Sequence, residues 1–267
     1  MASNLAAEYA DRGFVFHEGL LSADEVGVLT DELDRILGGD PPNAGIIWET
    51  DGTTPRTVFN PQLYSDVYHR LIRHPKLLGA VEDLLGEQVY PFQLGINCKA
   101  AFNGDVWFWH QDFPTYLEDD HVPEPRMVNA LIFLDEVTSL NSPLMMVPGS
   151  HRLAPEITEE TTQGTSYKLR YSSTEMIKRQ VAAAGIVVPT GPAGSVIFMN
   201  VNAIHGSTAN LSPWSRRMIT LTYNAMSNKS TSPSVRSRDI VYDDTDLPAL
   251  VALPEDCLIG GHQAARR

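Results

Sequence analysis

The chain has 267 residues, 43% of them hydrophobic, with two cysteines and 33 acidic against 20 basic side chains, a formal charge of −13. That balance argues against nucleic acid and anionic membrane surfaces, both of which attract basic patches, and two cysteines, Cys98 and Cys257, make no disulfide framework. The start Met1-Ala2-Ser3-Asn4-Leu5 lacks the basic and apolar regions of a secretory signal, and no run reaches the ~18 apolar residues of a membrane span. A single cytoplasmic domain over 1–267 is expected.

Ser22-Ala23-Asp24-Glu25 reads as a capping box opening a helix to about Leu37, with Val26, Leu29, Leu33 and Ile36 on one face and Gly38-Gly39 as its stop. A second helix is expected from Tyr64 to about Arg73 and a third from Pro75 to Gly86, so that helices over about 22–86 buttress a core. Strands follow: about Val89 to Lys99, Val106 to Phe113, Val128 to Leu134, Leu144 to Val147, Gly194 to Asn200 and Met218 to Asn224. The polar, weakly periodic stretch 154–185 reads as a lid or a surface insertion. The Ser- and Arg-rich stretch from Asn228 to Arg238 is expected to be mobile as well.

His110-Gln111-Asp112 places an imidazole and a carboxylate two positions apart, which on an extended strand project from one face. His205 arrives beyond a second apolar strand, and two imidazoles with one carboxylate form the facial set suited to non-haem Fe(II). Arg216, at the mouth of a third strand, offers a planar fork for a carboxylate, while Arg217 faces the other way. Trp107-Phe108-Trp109 and Phe113 make the surroundings of His110 strongly β-forming and dry. His151 and the remaining histidines have no partner at ligand spacing.

Five ordered segments carry a resemblance: Gln93-Leu94-Gly95-Ile96-Asn97-Cys98-Lys99, Trp107 to Phe113, Ser142 to His151, Gly191 to Val196, and His205 to Pro213. The stretch from about Tyr90 to Asn224 resembles the phytanoyl-CoA dioxygenase family, and within it the ectoine-hydroxylase branch. The resemblance implies a mainly β fold with flanking helices, a double-stranded β-helix (jelly-roll, cupin-like) core carrying Fe(II), with 2-oxoglutarate and O2 as cosubstrates. It assigns His110, Asp112 and His205 to the metal, and Arg216, Ser207, Asn97 and Trp107 to the cosubstrate. Retention of Asp112 points to hydroxylation, since halogenating relatives replace that carboxylate with a small residue.

Gln93 matches a substrate-contacting position, and Tyr116, Arg126 and Thr220 are further candidates. The ectoine pattern departs at Tyr116, where it has Trp, at Thr220, where it has an aromatic, and at Gly95, where it has Arg. The expectation is therefore hydroxylation of a free aliphatic L-amino acid such as leucine, in bacterial secondary metabolism. The alternatives are ectoine, a carrier-bound or complex natural product, and, more remotely, a non-catalytic metal-binding cupin. The acidic balance fits a large polyanion such as a CoA ester poorly.

Overall fold

The computed structural model describes residues 2–42, 45–154, 159–161, 169–236 and 247–260. Helix α1 (Ala2–Arg12) leads into strand β1 (Phe14–His17), and α2 (Ala23–Leu37) follows. The capping box forms as expected: Ser22 and Glu25 each bond the other's backbone N–H. A hairpin of β2 (Gly45–Trp48) and β3 (Pro55–Phe59) precedes two further helices, α3 (Asp66–Leu71) and α4 (Pro75–Leu85). Helix α4 opens with Pro75 in its first turn and closes on Gly86 in the left-handed conformation. Then come β4 (Val89–Lys99), β5 (Trp107–His110), α5 (Phe113–Glu118), β6 (Met127–Phe133), β7 (Met145–Met146), β8 (Glu159–Thr161), β9 (Leu169–Tyr171), α6 (Thr174–Ala184), β10 (Val196–Asn200), β11 (His205–Ser207) and β12 (Arg216–Ala225).

Seven strands make one antiparallel sheet in the order β1-β10-β6-β12-β4-β3-β2, and three make a second in the order β5-β11-β7. This is the mainly β, helix-flanked architecture expected from the sequence. Strand alternation divides the large sheet into two faces. Leu94, Ile96, Cys98, Val128, Ala130, Ile132, Ile219, Leu221 and Tyr223 pack against Leu29, Leu33, Ile36, Leu71, Leu77 and Val81 of the helices. The opposite face carries Leu131, Phe133, Met199 and Met218, which pack with Leu144 and Met146 beside the small sheet. The helices therefore seal one side of the large sheet, which leaves its polar inner residues to line a cavity on the other.

Several elements differ from the expectation. Strand β5 ends at His110, two residues before Asp112, which takes helical dihedrals and caps α5. The N–H groups of Asp112 and Phe113 both donate to the Val201 carbonyl, which turns the chain out of the sheet, and Pro114 suits the first helical turn because its missing N–H has no helical role there. Arg216 lies inside β12 rather than before it. The short elements α1, β1, β2 and β3 were not anticipated. Within 154–185 the described parts form the β8–β9 hairpin and helix α6, while 155–158 and 162–168 lie outside the described residues. Among the described residues no helix is long and apolar enough to cross a membrane, and both cysteines are free and buried.

Candidate metal centre and its cavity

His110 at the end of β5 and His205 at the start of β11 are direct cross-strand partners. Their rings lie 4.2 Å apart between centroids. Gly206 makes the approach possible: a Cβ there would stand 3.0 Å from the Trp107 carbonyl oxygen and 3.2 Å from the Trp109 nitrogen. Each imidazole donates Nδ1–H to a backbone carbonyl, His110 to Phe108 at 2.6 Å and His205 to Ala203 at 2.9 Å. Both Nε2 lone pairs are thereby turned to a common point. Asp112 completes the set from the first turn of α5, with Oδ1 3.4 Å from His110 Nε2 and Oδ2 3.8 Å from His205 Nε2. One ligand atom from each of the three residues lies within 4.8 Å of the others. Helical geometry thus delivers the carboxylate that strand alternation was expected to deliver.

The electrostatics fit a cation. Burial, reinforced by His110, pushes His205 down to about 4, so the ring is neutral. Burial works to raise Asp112, but His205, His110 and a hydrogen bond from Asn129 outweigh it and bring the carboxyl to about 2. His110 is held above the ordinary imidazole value because Asp112 and the Phe108 carbonyl outweigh its burial. Two imidazole Nε2 atoms and an ionised carboxylate are a donor set for one divalent metal; the carboxylate that favours a proton on His110 would favour a metal cation in that proton's place.

The cavity beside this triad is about 100 Å³ and is floored by cross-strand rows of the large sheet. Gln93, Thr222 and Asn129 form one row, Gly95, Thr220 and Leu131 the next, then Asn97, Met218 and Phe133. Lys99 and Arg216 pair at the end. Gln93, Gly95, Asn97, Trp107, Tyr116, Ser207, Arg216 and Thr220 all line it, together with Thr57, Phe59, Asn129, Leu131, Leu144 and Met218. The structure therefore brings together every expected site residue except Arg126. That side chain lies at the surface, ion-paired with Glu87 and donating to Ser227 Oγ at 3.0 Å, because β6 begins only after it and carries it away from the cavity.

Arg216 is 1% exposed and, among the described residues, has no carboxylate partner. It donates to the Ser142 carbonyl at 3.2 Å and the Ser207 hydroxyl at 3.4 Å, and burial lowers it to about 10. A buried guanidinium with its fork unfilled is costly unless an anion completes it. Lys99 stands beside it, equally buried, donating to the Thr208 carbonyl. Burial, then Arg216 and Arg56, push the Lys99 ammonium down to about 6. Arg217 faces the helices, bidentate to Asp135 and 3.1 Å from Asp34, as its register implies.

Three residues escaped the sequence reading. Lys99 ends an apolar strand and was given no role, although a lysine in a two-sided buried run is itself a signal. Asn129 interrupts Met127–Phe133 in the same way. Arg236 lies in the stretch expected to be mobile, yet it clamps Asp120 and reaches Gln93 Oε1 at 3.1 Å. Within the described part of the insertion, Arg170 of β9 is bidentate to Asp119 at 2.8 and 2.9 Å.

Comparison with known proteins agrees with this geometry. Residues 9–218 match the model of the phytanoyl-CoA dioxygenase family. The chain is 34% identical over 242 residues to an ectoine dioxygenase of Bordetella bronchiseptica, covering 87% of this chain and 78% of that one. It is 33% identical over 223 residues to an L-proline trans-4-hydroxylase of Streptomyces griseoviridis, covering 80% and 82%. The crystal structure of EctD from S. alaskensis with 2-oxoglutarate and 5-hydroxyectoine superposes with a TM-score of 0.83 at 30% identity, covering 95% of this chain and 87% of that one. The same protein has been solved with bound Fe, again with a TM-score of 0.83. With its paired imidazoles, its carboxylate and a buried arginine at the cavity end, the chain belongs to the phytanoyl-CoA dioxygenase family and is a non-haem, 2-oxoglutarate-dependent iron dioxygenase.

Proposed function

We propose that the protein hydroxylates an unactivated C–H bond of a compact cyclic zwitterion of the ectoine type. The observation that carries this is similarity to ectoine dioxygenases over 87% of the chain, combined with a small cavity polar at both ends. The leucine-type amino acid expected from the sequence finds no support among the relatives named above, and the ectoine alternative is the better-supported reading. Two of the departures around the cavity have structural explanations. Tyr116 packs edge-on against Phe92 at 5.0 Å, and Thr220 accepts from Asn97 Nδ2 at 3.3 Å. Both positions remain part of the wall. A second reading, an L-proline-type imino acid, is favoured by the L-proline hydroxylase relative; ectoine and proline are each a small ring bearing one carboxylate and a ring nitrogen.

His110, Asp112 and His205 are the residues that would hold iron, and Arg216 and Lys99 those that would take the distal carboxylate of 2-oxoglutarate. Asn97, Ser207 and Trp107, which line the same cavity, would flank that anion. Bound iron with 2-oxoglutarate supplies the oxidising chemistry, in which substrate C–H, 2-oxoglutarate and O2 become C–OH, succinate and CO2. The protein's own part is positioning. The large sheet fixes the cation pair at one end, and Gln93 and Tyr116 bound the other. Leu131, Leu144 and Met218 line the remaining wall and limit the water admitted.

The test incubates the iron-loaded protein with ectoine, L-proline and L-leucine, each with 2-oxoglutarate and ascorbate, and reads succinate release and the gain of one oxygen by mass spectrometry. Ectoine is expected to give the highest kcat/KM and L-leucine none. Preferential turnover of L-leucine, or succinate release that no compound stimulates, overturns the reading.

A further inference from the structure

Arg56 of β3 is 1% exposed, and it ties the β2–β3 hairpin to the start of β5. Its Nη1 donates to Glu49 Oε2 at 2.9 Å and lies 3.8 Å from Asp105 Oδ2, and its Nη2 donates to the Val106 carbonyl at 3.0 Å. The other oxygen of Glu49, Oε1, accepts from the Asp105 N–H at 3.2 Å. One ion pair thus grips the main chain of two successive residues immediately ahead of Trp107. The guanidinium carbon also lies over the Trp107 ring, 4.4 Å from its centre, where a cation is drawn to the indole face. Glu49 is 6% exposed, so both charges of the pair are largely out of water, which strengthens their attraction and makes either one costly alone. Among the described residues, Trp107 lines the cavity and Arg56 does not. Trp107 is the cross-strand partner of Ser207, whose hydroxyl accepts from Arg216 at 3.4 Å. The ring held by Arg56 is therefore part of the wall at the cationic end.

We propose that Arg56, neutralised by Glu49, is a positioning residue for 2-oxoglutarate: it fixes the Trp107 indole and the chain leading into it, so that the ring forms a rigid wall beside the cosubstrate's carbon chain. The inference rests on the reading above that gives the Arg216 end of the cavity to 2-oxoglutarate, and it holds whatever substrate is oxidised. In this arrangement Arg56 does not touch the anion. Its charge is committed to Glu49 and its flat face to the indole, so what it supplies is order. Without it the indole regains rotational freedom, and binding of 2-oxoglutarate must bear the cost of ordering the ring.

The test measures 2-oxoglutarate binding to the full chain loaded with Mn(II), by isothermal titration without oxygen, so that no turnover intervenes. Arg56→Met is expected to raise the 2-oxoglutarate Kd about tenfold, the scale of ordering one large side chain and losing a desolvated cation over its ring, with Mn(II) affinity changed less than about twofold. Arg56→Lys keeps a cation beside Glu49 but no planar face for the indole, and should lose about threefold. Glu49→Leu combined with Arg56→Met removes both charges together and strands neither, so it keeps the chain folded even where the single change does not, and it too should lose about tenfold. Trp107→Leu combined with Arg56→Met should bind no worse than Trp107→Leu alone, because the arginine acts through the ring. Wild-type 2-oxoglutarate affinity in the Glu49→Leu, Arg56→Met protein shows an ion pair that only supports the fold and overturns the proposal, and additive losses with Trp107→Leu overturn it as well. Arg216→Gln tests the reading beneath it. Unchanged 2-oxoglutarate affinity in that variant overturns the assignment of this end of the cavity and the inference with it, whereas a loss there and none on changing Arg56 overturns this inference alone.

Discussion

Asn129 donates its amide N–H to Asp112 Oδ2 at 2.7 Å, and its own amide oxygen accepts from Thr222 Oγ1 at 2.7 Å. The two bonds fix both the flip of the amide and the rotation of the carboxylate. Asp112 is left with Oδ1 as the oxygen nearer His110, which suits attachment to a metal through one atom. Asn129 and Thr222 are themselves 0% exposed, so no water competes for these bonds.

Asn129→Leu is therefore expected to weaken metal retention by about 10- to 100-fold, the usual consequence of losing a group that orients a ligand. Isothermal titration with Mn(II) or anaerobic Fe(II) measures it without reliance on turnover. Thr222→Ser should keep wild-type affinity, since it preserves the hydroxyl. Equal affinity in Asn129→Leu and the wild type would show that Asp112 is oriented by other means.

Arg216→Gln should raise the 2-oxoglutarate requirement at least tenfold, since a charge-assisted pair to a buried carboxylate is worth roughly 1.5–3 kcal/mol. Lys99→Met should act in the same direction with a smaller effect. Arg217→Ala should leave the 2-oxoglutarate KM unaltered and cost at most about 1 kcal/mol of stability, because its pair with Asp135 is partly solvated. Steady-state kinetics and urea unfolding separate the three.

Lys99 also makes stability depend on pH. Its folded pKa of about 6 lies below the ordinary 10.5, so between those values the unfolded chain binds more protons than the folded one. Its contribution therefore rises with pH through that window and is lost as pH falls toward 6. Without 2-oxoglutarate, the wild type should gain about 1 kcal/mol over Lys99→Met between pH 7 and pH 8, since one proton corresponds to about 1.4 kcal/mol per pH unit. Parallel unfolding curves for the two proteins across that range would refute the assignment.

Glu25 joins two helices: it closes the α2 cap on the Ser22 N–H at 2.7 Å and accepts from His74 Nε2 at 2.7 Å. His74 is 0% exposed, and among the described residues its Nδ1 has no hydrogen-bond partner, so Glu25→Ala would leave both ring nitrogens without one. A loss of about 2–4 kcal/mol is expected from the cap and the orphaned imidazole together. Chemical denaturation checks it, and a loss under 1 kcal/mol would mean that the helices hold without this link.

The linear sequence determined what local pattern can encode. The capping box at Ser22, Pro75 and Gly86 around α4, and the long apolar run of β4 announced their elements because each depends on neighbours in the chain. The identities of His110, Asp112, His205 and Arg216 were legible as residue types whose chemistry has few structural uses. The short strands β1, β2 and β3 were not, because four or five residues carry too little periodicity; β1 and β3 form by pairing with strands farther along the chain, and β2 by adding to β3 as a hairpin. Nor could the sequence say that Asp112 joins His110 and His205 from a helix turn, a matter settled by the Val201 carbonyl capturing two N–H groups. Tertiary structure alone removed Arg126 to the surface, brought Arg236 from beyond β12 onto Gln93, and placed Lys99 opposite Arg216. Those outcomes rest on cross-strand register and on charges seeking partners across the fold, and neither is written in any window of neighbouring residues.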